Sequence, residues 1–131
     1  MKLIEEIKSL IKEANETNDI TALININMKI RGYLIYVAEL EIPLLRQKLM
    51  AYNDRKNFEA KHCLVSASGI TKAEKEAIVN SKDLRDLEIS TEVEWMATRN
   101  FRTQCNEFCE ALGQKIAALR KEYETIKQHQ Q

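Results

Sequence analysis

Apolar side chains recur every three or four residues along most of this chain, and charged residues fill the positions between them. Such spacing gathers the apolar groups on one face of an α-helix. The pattern first occurs in "MKLIEEIKSLIKEANE", where it predicts an amphipathic helix over residues 1–16. "NETND" then interrupts the pattern, and either Asp19 or Thr21 is suited to cap the helix that follows.

A longer apolar pattern comes next and predicts a second helix over residues 20–65. Its main face holds Leu23, Ile26, Ile30, Tyr33, Val37, Leu40 and Leu44. Pro43 lies inside this run, where a proline removes a hydrogen bond and costs about 3 kcal/mol. Because the apolar pattern resumes after Pro43, we expect a kink at this residue and not the end of the helix.

A polar connector is expected over residues 66–81, after "SASG" ends the second helix. Thr71 and Glu74 have the spacing of a capping box, so a short helix is predicted over residues 72–79. "NSKD" breaks the pattern again, and Ser81 is a candidate cap for a last helix.

The last predicted helix covers residues 82–127 and has the most regular apolar face in the chain. Its members step by three or four residues: Phe101, Cys105, Phe108, Leu112, Ile116, Leu119, Tyr123 and Ile126. This spacing is close to a heptad repeat, and Trp95 and Met96 extend it toward the start of the helix. No alternating β pattern competes with the helices, so the sequence predicts an all-α fold.

The predicted architecture is a single all-helical domain over residues 1–131, in which two long helices form an antiparallel hairpin with short accessory helices. Apolar residues also lie off the main face of the second helix: Ile24, Leu34, Ile35, Tyr36 and Leu45. Assembly into an oligomer would cover them, whereas in a monomer the first helix would have to fold back over them. The predicted contacts between copies are Phe101, Phe108, Leu112, Ile116, Leu119 and Tyr123. Close approach of helices is the expected reason for Gly32 and Gly113.

Charge is neutral over the 131 residues, but residues 42–62 carry five basic and two acidic groups. Lys48, Arg55 and His62 are seven residues apart, which places them on one stripe of the helix. Positive tracks with interleaved aromatic groups bind single-stranded nucleic acid, whereas a solvated helix end is the simpler interpretation. Arg55 and Lys61 in particular are expected to be exposed. The candidate DNA-binding residues are Lys48, Arg55, Lys56, Lys61, His62, Lys72 and Lys75.

The sequence contains few arrangements of residues that are typical of catalytic sites, so we expect a protein without enzymatic activity, cofactor or metal. His62 and Cys63 are adjacent and therefore point about 100° apart on a helix. The three glycines are isolated, so no phosphate-binding loop is formed. The three cysteines lack metal-ligand spacing and are interpreted as reduced, mostly buried thiols of a cytoplasmic protein. The chain start has no continuous apolar run, so neither a signal peptide nor a membrane span is predicted.

Four segments make the chain similar to the UvsY recombination mediators of tailed phages. "MKLIEEIKSLIKE" resembles the short amphipathic start of that family, and "AKHCLVSASG" resembles its basic helix end and small, Gly-bearing loop. "KAEKEAIVNSKDLRDLEISTEVEWM" is similar to the acidic helix, the break and the helix that follows in the family. "QCNEFCEALGQKIAALRKEYE" is similar to its C-terminal assembly helix. Cys63 departs from the pattern, because a basic residue is expected there.

The resemblance implies a non-enzymatic accessory factor of homologous recombination in the cytoplasm of a bacterial host. Such a protein binds single-stranded DNA and forms a ring-like homo-oligomer. It then helps load a UvsX-type recombinase onto DNA covered by single-strand-binding protein. The family's DNA contact corresponds to Lys61 and His62. The alternatives are a helical adaptor or a phage-encoded inhibitor that binds another protein, and a small helical enzyme.

Overall fold

The computed structural model describes residues 2–65, 76, 79 and 81–130, and the side chains of residues 63–65 lie outside the description. The structure gives the bounds of three helices: α1, Lys2–Asn15; α2, Ile20–Val65; and α3, Lys82–His129. The described ranges contain no strand. The predicted all-α class is therefore confirmed. Of the predicted helix over 72–79, only residues 76 and 79 are described, and both are helical.

The starts of α2 and α3 are defined by backbone hydrogen bonds. The amide of Leu23 donates to the carbonyl of Asp19 at 3.0 Å, and the amide of Arg85 donates to the carbonyl of Ser81 at 2.9 Å. A carbonyl that accepts the first bond of a helix belongs to the N-cap residue. Asp19 and Ser81 therefore occupy the N-cap positions, in agreement with two of the candidates from the sequence.

Pro43 lies inside α2, and the helix continues beyond it to Val65. A proline in a helix interior leaves the carbonyl four residues before it without its usual donor. Val37 before Pro43 and Ala51 after it are both buried. The helix continues as expected, and the kink stays a prediction.

The chain divides into two compact units. Unit 1 comprises Met1–Glu39 and Asn100–Gln131, and unit 2 comprises Leu40–Arg99. Each unit contains one segment of α2 and one segment of α3, and α1 belongs to unit 1. The single domain expected from the chain length stays a prediction.

The apolar core of unit 1 is built from all three helices. Its buried members are Ile7, Ala14, Leu23, Ile26, Ile30, Leu34, Val37, Cys105, Cys109, Leu112 and Ile116. The side-chain amide of Asn27 donates to the carbonyl of Cys109 at 3.5 Å, and Lys115 Nζ donates to the carbonyl of Thr17 at 3.2 Å. Of the apolar residues off the main face of α2, Leu34 is buried here and Ile24 packs against the core, whereas Ile35 and Tyr36 stay exposed. The oligomer and the monomer alternatives therefore both stay predictions.

This core includes most of the residues that the sequence assigned to contacts between copies. Leu112 and Ile116 are buried in the core, and Phe101, Phe108 and Leu119 pack against it. Tyr123 differs, because 64% of it is exposed. The regular apolar face of α3 therefore packs within its own chain. The sequence did not distinguish this from contacts between copies, because a heptad pattern is the same whether its partner is another helix of the chain or another copy.

The glycines within the helices do not mark close contacts. A Cβ atom built on Gly32 or Gly113 would meet no other atom within 4 Å. The expectation that close approach of helices explains these glycines is therefore wrong. Nothing in the structure explains them.

Candidate nucleic-acid interface

The charged stripe predicted on α2 faces carboxylates within unit 2. Lys48 Nζ lies 3.8 Å from an oxygen of Glu92, and the Arg55 guanidinium binds the carboxylate of Glu88. Along α2 the partner number decreases on α3, so the two segments run antiparallel within this unit. Lys48 and Arg55 thus each neutralise a carboxylate before any ligand is bound.

His62 continues the stripe at the C-terminal end of α2. Its Nε2 atom lies 3.7 Å from a carboxylate oxygen of Glu76. The imidazole also stacks on the ring of Phe58, with 6.1 Å between ring centroids and an interplanar angle of 15°. His62 is half-buried, so its ring contributes to packing.

Glu59 is the centre of a polar network in unit 2. One oxygen accepts hydrogen bonds from Arg85 Nη2 at 2.9 Å and from Ser81 Oγ at 3.0 Å. The other oxygen accepts from Arg55 Nη1 at 3.1 Å. The hydrogen bond from Arg85 lowers the pKa of Glu59 below its ordinary value, with smaller contributions from Ser81 and Arg55.

Arg55 is held by two glutamates, and only 13% of its side chain is exposed. The hydrogen bond to Glu88 raises the pKa of Arg55. The expectation that Arg55 is exposed is wrong, because α3 supplies partners that the sequence of α2 does not reveal. A phosphate would have to compete with two carboxylates for this guanidinium. Substitution of Arg55 would therefore report on the stability of unit 2 more than on DNA binding.

The remaining candidates divide into exposed residues and residues outside the description. Lys56 and Lys61 are exposed on the C-terminal part of α2. Lys72 and Lys75 lie outside the described residues. The assignment of all seven candidates to DNA stays a prediction, with Lys56 and Lys61 the most accessible described members.

Two aromatic rings in unit 2 each lie beside two cations, a feature that sequence reasoning missed in part. Lys48 Nζ lies 4.5 Å from the ring centroid of Trp95, and the Arg99 guanidinium carbon lies 5.4 Å from it. The corresponding distances from Tyr52 are 5.4 Å to Arg55 and 5.7 Å to Lys56. The sequence predicted aromatic groups among the cations of α2, but it assigned Trp95 to the apolar face of α3. The four-residue spacings Tyr52–Lys56 and Trp95–Arg99 were the available signal.

Unit 2 also exposes two rows of large apolar side chains. Leu45, Leu49 and Tyr52 form one row on α2, with the spacing of consecutive helical turns. Ile89, Val93 and Met96 form a row of the same spacing on α3, and Ile89 and Val93 are each 60% exposed. Contiguous apolar surface of this kind is typical of protein interfaces.

Other kinds of site are absent from the part of the chain that the structure describes. None of its His, Cys, Asp and Glu side chains form a group of three or more that could hold a metal ion. Cys105 and Cys109 are buried and form no disulfide, as expected for reduced thiols, whereas the Cys63 side chain is outside the description. Within the described ranges, no helix has both the length and the apolar character needed to cross a bilayer.

Comparison with known proteins gives no independent assignment. No protein-family model matches the chain, and no curated protein or solved structure matches it either.

Proposed function

We propose that the protein is a non-enzymatic recombination mediator that binds single-stranded DNA without sequence preference. In this role it helps load a recombinase onto DNA covered by single-strand-binding protein. The similarity of four sequence segments to the UvsY mediators supports this function, and the all-helical fold agrees with it. The observation that carries the DNA-binding part is the exposure of Lys56 and Lys61 in the most basic stretch of the chain.

Binding would depend on the phosphate backbone. Each lysine that neutralises a phosphate releases a condensed counterion, which gives affinity without reading the bases. Lys56 and Lys61 are five residues apart on α2, so they lie about 8 Å apart along the helix axis. Two such contacts bind weakly, and several copies on one strand would raise the avidity.

Self-association is the second part of the proposal. The antiparallel hairpin would bring copies together as a ring, with one basic helix end per copy. Because the apolar face of α3 in unit 1 packs within the chain, we assign the contacts between copies to the exposed rows of unit 2. These rows hold Leu45, Leu49, Tyr52, Ile89, Val93 and Met96.

Recombinase loading then requires only differential binding. A strand held at several basic helix ends is bent or wrapped. This weakens the binding of a single-strand-binding protein that needs the strand extended. The same strand is presented to the incoming recombinase. Each protein favours the form of the strand that it binds better, so the exchange needs no covalent step.

Salt-dependent binding of an oligonucleotide tests the DNA-binding part. For single strands, the logarithm of affinity falls with the logarithm of salt concentration by about 0.7 per phosphate contact. The double variant Lys56→Glu, Lys61→Glu should lose at least about tenfold in affinity at low salt, and its slope should be shallower by about 1.4. Fluorescence anisotropy of a labelled oligonucleotide measures both quantities.

The matched control is the double variant Lys121→Glu, Lys127→Glu, which makes the same charge change at exposed positions near the end of α3. It should retain most of the affinity and the slope. If both double variants lose affinity equally, the loss comes from net charge and the assignment to Lys56 and Lys61 is wrong. If the unaltered protein does not bind the oligonucleotide at low salt, the proposed function itself is wrong.

A protein-binding adaptor or phage-encoded inhibitor is the second candidate function. The exposed apolar rows of unit 2 favour it, because a protein partner would cover them as well as a second copy does. A chain that stays monomeric and does not bind DNA, yet forms a defined complex with one host protein, would support this candidate over the mediator.

A further inference from the structure

One face of α2 in unit 1 carries large apolar side chains that are exposed. Met28, Ile35 and Tyr36 are between 59% and 67% exposed. Their positions differ by about half a helical turn from those of Ile30 and Leu34, which are buried in the core of unit 1. The three exposed side chains therefore lie on the side of α2 that faces away from that core, and exposed apolar surface of this kind is typical of protein interfaces.

A depression lies on this side of α2, over a glycine. Six residues line it, and we call them the Gly32 face: Lys29, Gly32, Tyr33, Ile35, Tyr36 and Glu39. A Cβ atom at Gly32 would meet no other atom within 4 Å, so the depression is open directly above the glycine. Its volume of about 440 Å³ leaves room for a side chain of another molecule.

The Gly32 face has opposite charges near its two ends. Lys29 and Glu39 are both exposed, and neither forms an ion pair with any residue that the structure describes. They are ten residues apart on one helix, or about 15 Å along its axis, so they do not pair with each other. The face is neutral as a whole and does not favour a polyanion, but each end fits a group of opposite charge.

The Gly32 face is complementary to itself. Along α2, the midpoint between Lys29 and Glu39 is also the midpoint between Gly32 and Tyr36. A second copy that crosses antiparallel, with a two-fold axis through this point, therefore aligns both pairs of residues at once. Tyr36 then lies over the partner's Gly32, and Lys29 lies beside the partner's Glu39.

We propose that the Gly32 face is a two-fold contact between copies of this chain, in which Tyr36 of each copy fills the depression over the partner's Gly32. Glycine suits this place because it lets another molecule approach the backbone closely. The contact is separate from the exposed rows of unit 2, and it does not rest on DNA binding. A crossing of a few helical turns is smaller than the roughly 1,200 Å² buried in stable complexes, so the pair should form at high protein concentration.

Sedimentation velocity of the full chain with Val93→Asp tests the contact in the absence of DNA, since this substitution disrupts the apolar row on α3 of unit 2. The chain should form dimers as its concentration rises. Added to it, Lys29→Glu or Glu39→Lys would align like charges twice in each pair, so each should weaken pairing by about tenfold. An equimolar mixture of these two variants should form dimers again, because both charge contacts of the mixed pair join opposite charges.

Two glycines of unit 1 provide a matched pair of variants in the same chain. Gly32→Gln fills the depression with an uncharged side chain and should weaken pairing by at least about tenfold. Gly113→Gln makes the same change at a second helical glycine that has open space around its Cβ position. It lies outside the Gly32 face and should leave pairing unchanged.

Three results would overturn the inference. The first is a Val93→Asp chain that stays monomeric at every concentration, which would leave the Gly32 face to a different protein. The second is pairing that neither charge substitution weakens, and the third is a mixture no heavier than its separate components. None of these results bears on the proposed DNA binding, because the oligonucleotide measurement tests that function separately.

Discussion

Glu59 joins charged groups from two segments of unit 2 through a single carboxylate. It accepts hydrogen bonds from Arg85 and Ser81, and it also binds Arg55. Only 19% of its side chain is exposed, so water compensates poorly for a lost partner. Because Ser81 also occupies the N-cap position of α3, Glu59 helps fix where that helix begins.

We expect the Glu59 network to make unit 2 sensitive to acid. The folded state lowers the pKa of Glu59, so the stability that it contributes is complete above the ordinary value of 4.5. This stability is lost as pH falls through the lower pKa of the folded state. Glu59→Gln should therefore lower the free energy of unfolding by about 1–2 kcal/mol at neutral pH and by much less at about pH 3. Urea unfolding at the two pH values measures this difference.

Asp86→Asn serves as the control, because it neutralises an exposed carboxylate on α3 in the same unit. Its effect should be within about 0.5 kcal/mol at both pH values. If Glu59→Gln lowers the free energy of unfolding equally at neutral and acidic pH, the network stabilises unit 2 through packing and not through the charge of Glu59.

Sequence reasoning found the stripe of Lys48, Arg55 and His62 but not its partners. Their spacing of seven residues depends only on helix geometry, which one segment reveals. Which glutamates face them depends on how α2 and α3 are paired in register, and no short-range pattern encodes that pairing. The exposure expected for Arg55 was wrong for this reason, and the contact between Lys48 and Trp95 was missed for the same one.

At the scale of whole elements, the periodicity of apolar residues located the helices closely. The predicted range 20–65 coincides with α2, and α3 ends at His129, two residues beyond the predicted end. Apolar spacing identifies helices of this length because it repeats over many turns. The partner of an apolar face is not encoded in its spacing, and this explains why Leu112 and Ile116 were assigned to contacts between copies.

The glycines within α2 and α3 give a prediction at this scale. A Cβ atom at Gly32 or Gly113 would meet no other atom within 4 Å. Glycine in a helix interior costs roughly 0.5–1 kcal/mol relative to alanine. Gly32→Ala and Gly113→Ala should therefore each raise the free energy of unfolding by about that amount, as measured by urea unfolding.

The reverse change at an exposed position of α3, Ala118→Gly, should lower the same free energy by a similar amount. A loss of stability in Gly32→Ala or Gly113→Ala would indicate that another molecule, such as a second copy, approaches the glycine closely.

For the whole molecule, folding and assembly should respond to different substitutions. Leu112 is 4% exposed in the core of unit 1, so Leu112→Asp would bury a charge without a partner. We expect a loss of at least about 3 kcal/mol in the free energy of unfolding, whatever the protein concentration. Circular dichroism during urea unfolding measures this loss.

Val93→Asp is the matching test of assembly, because Val93 is 60% exposed on α3 in unit 2. Its stability should stay within about 0.5 kcal/mol of the unaltered chain at concentrations where that chain is dissociated. At high concentration its mass in solution should be lower than that of the unaltered protein. An oligomer of unchanged mass would exclude the apolar row on α3 as the contact between copies.

Cys105 and Cys109 allow opening of the core of unit 1 to be followed chemically. Both thiols are buried in the core of unit 1, and burial raises the pKa of each. The thiolate is the form that attacks an alkylating reagent, so alkylation must wait until the core opens. The rate of alkylation therefore measures how often the core of unit 1 opens. The measurement needs no attached label, and Cys63 is replaced by serine so that only Cys105 and Cys109 react.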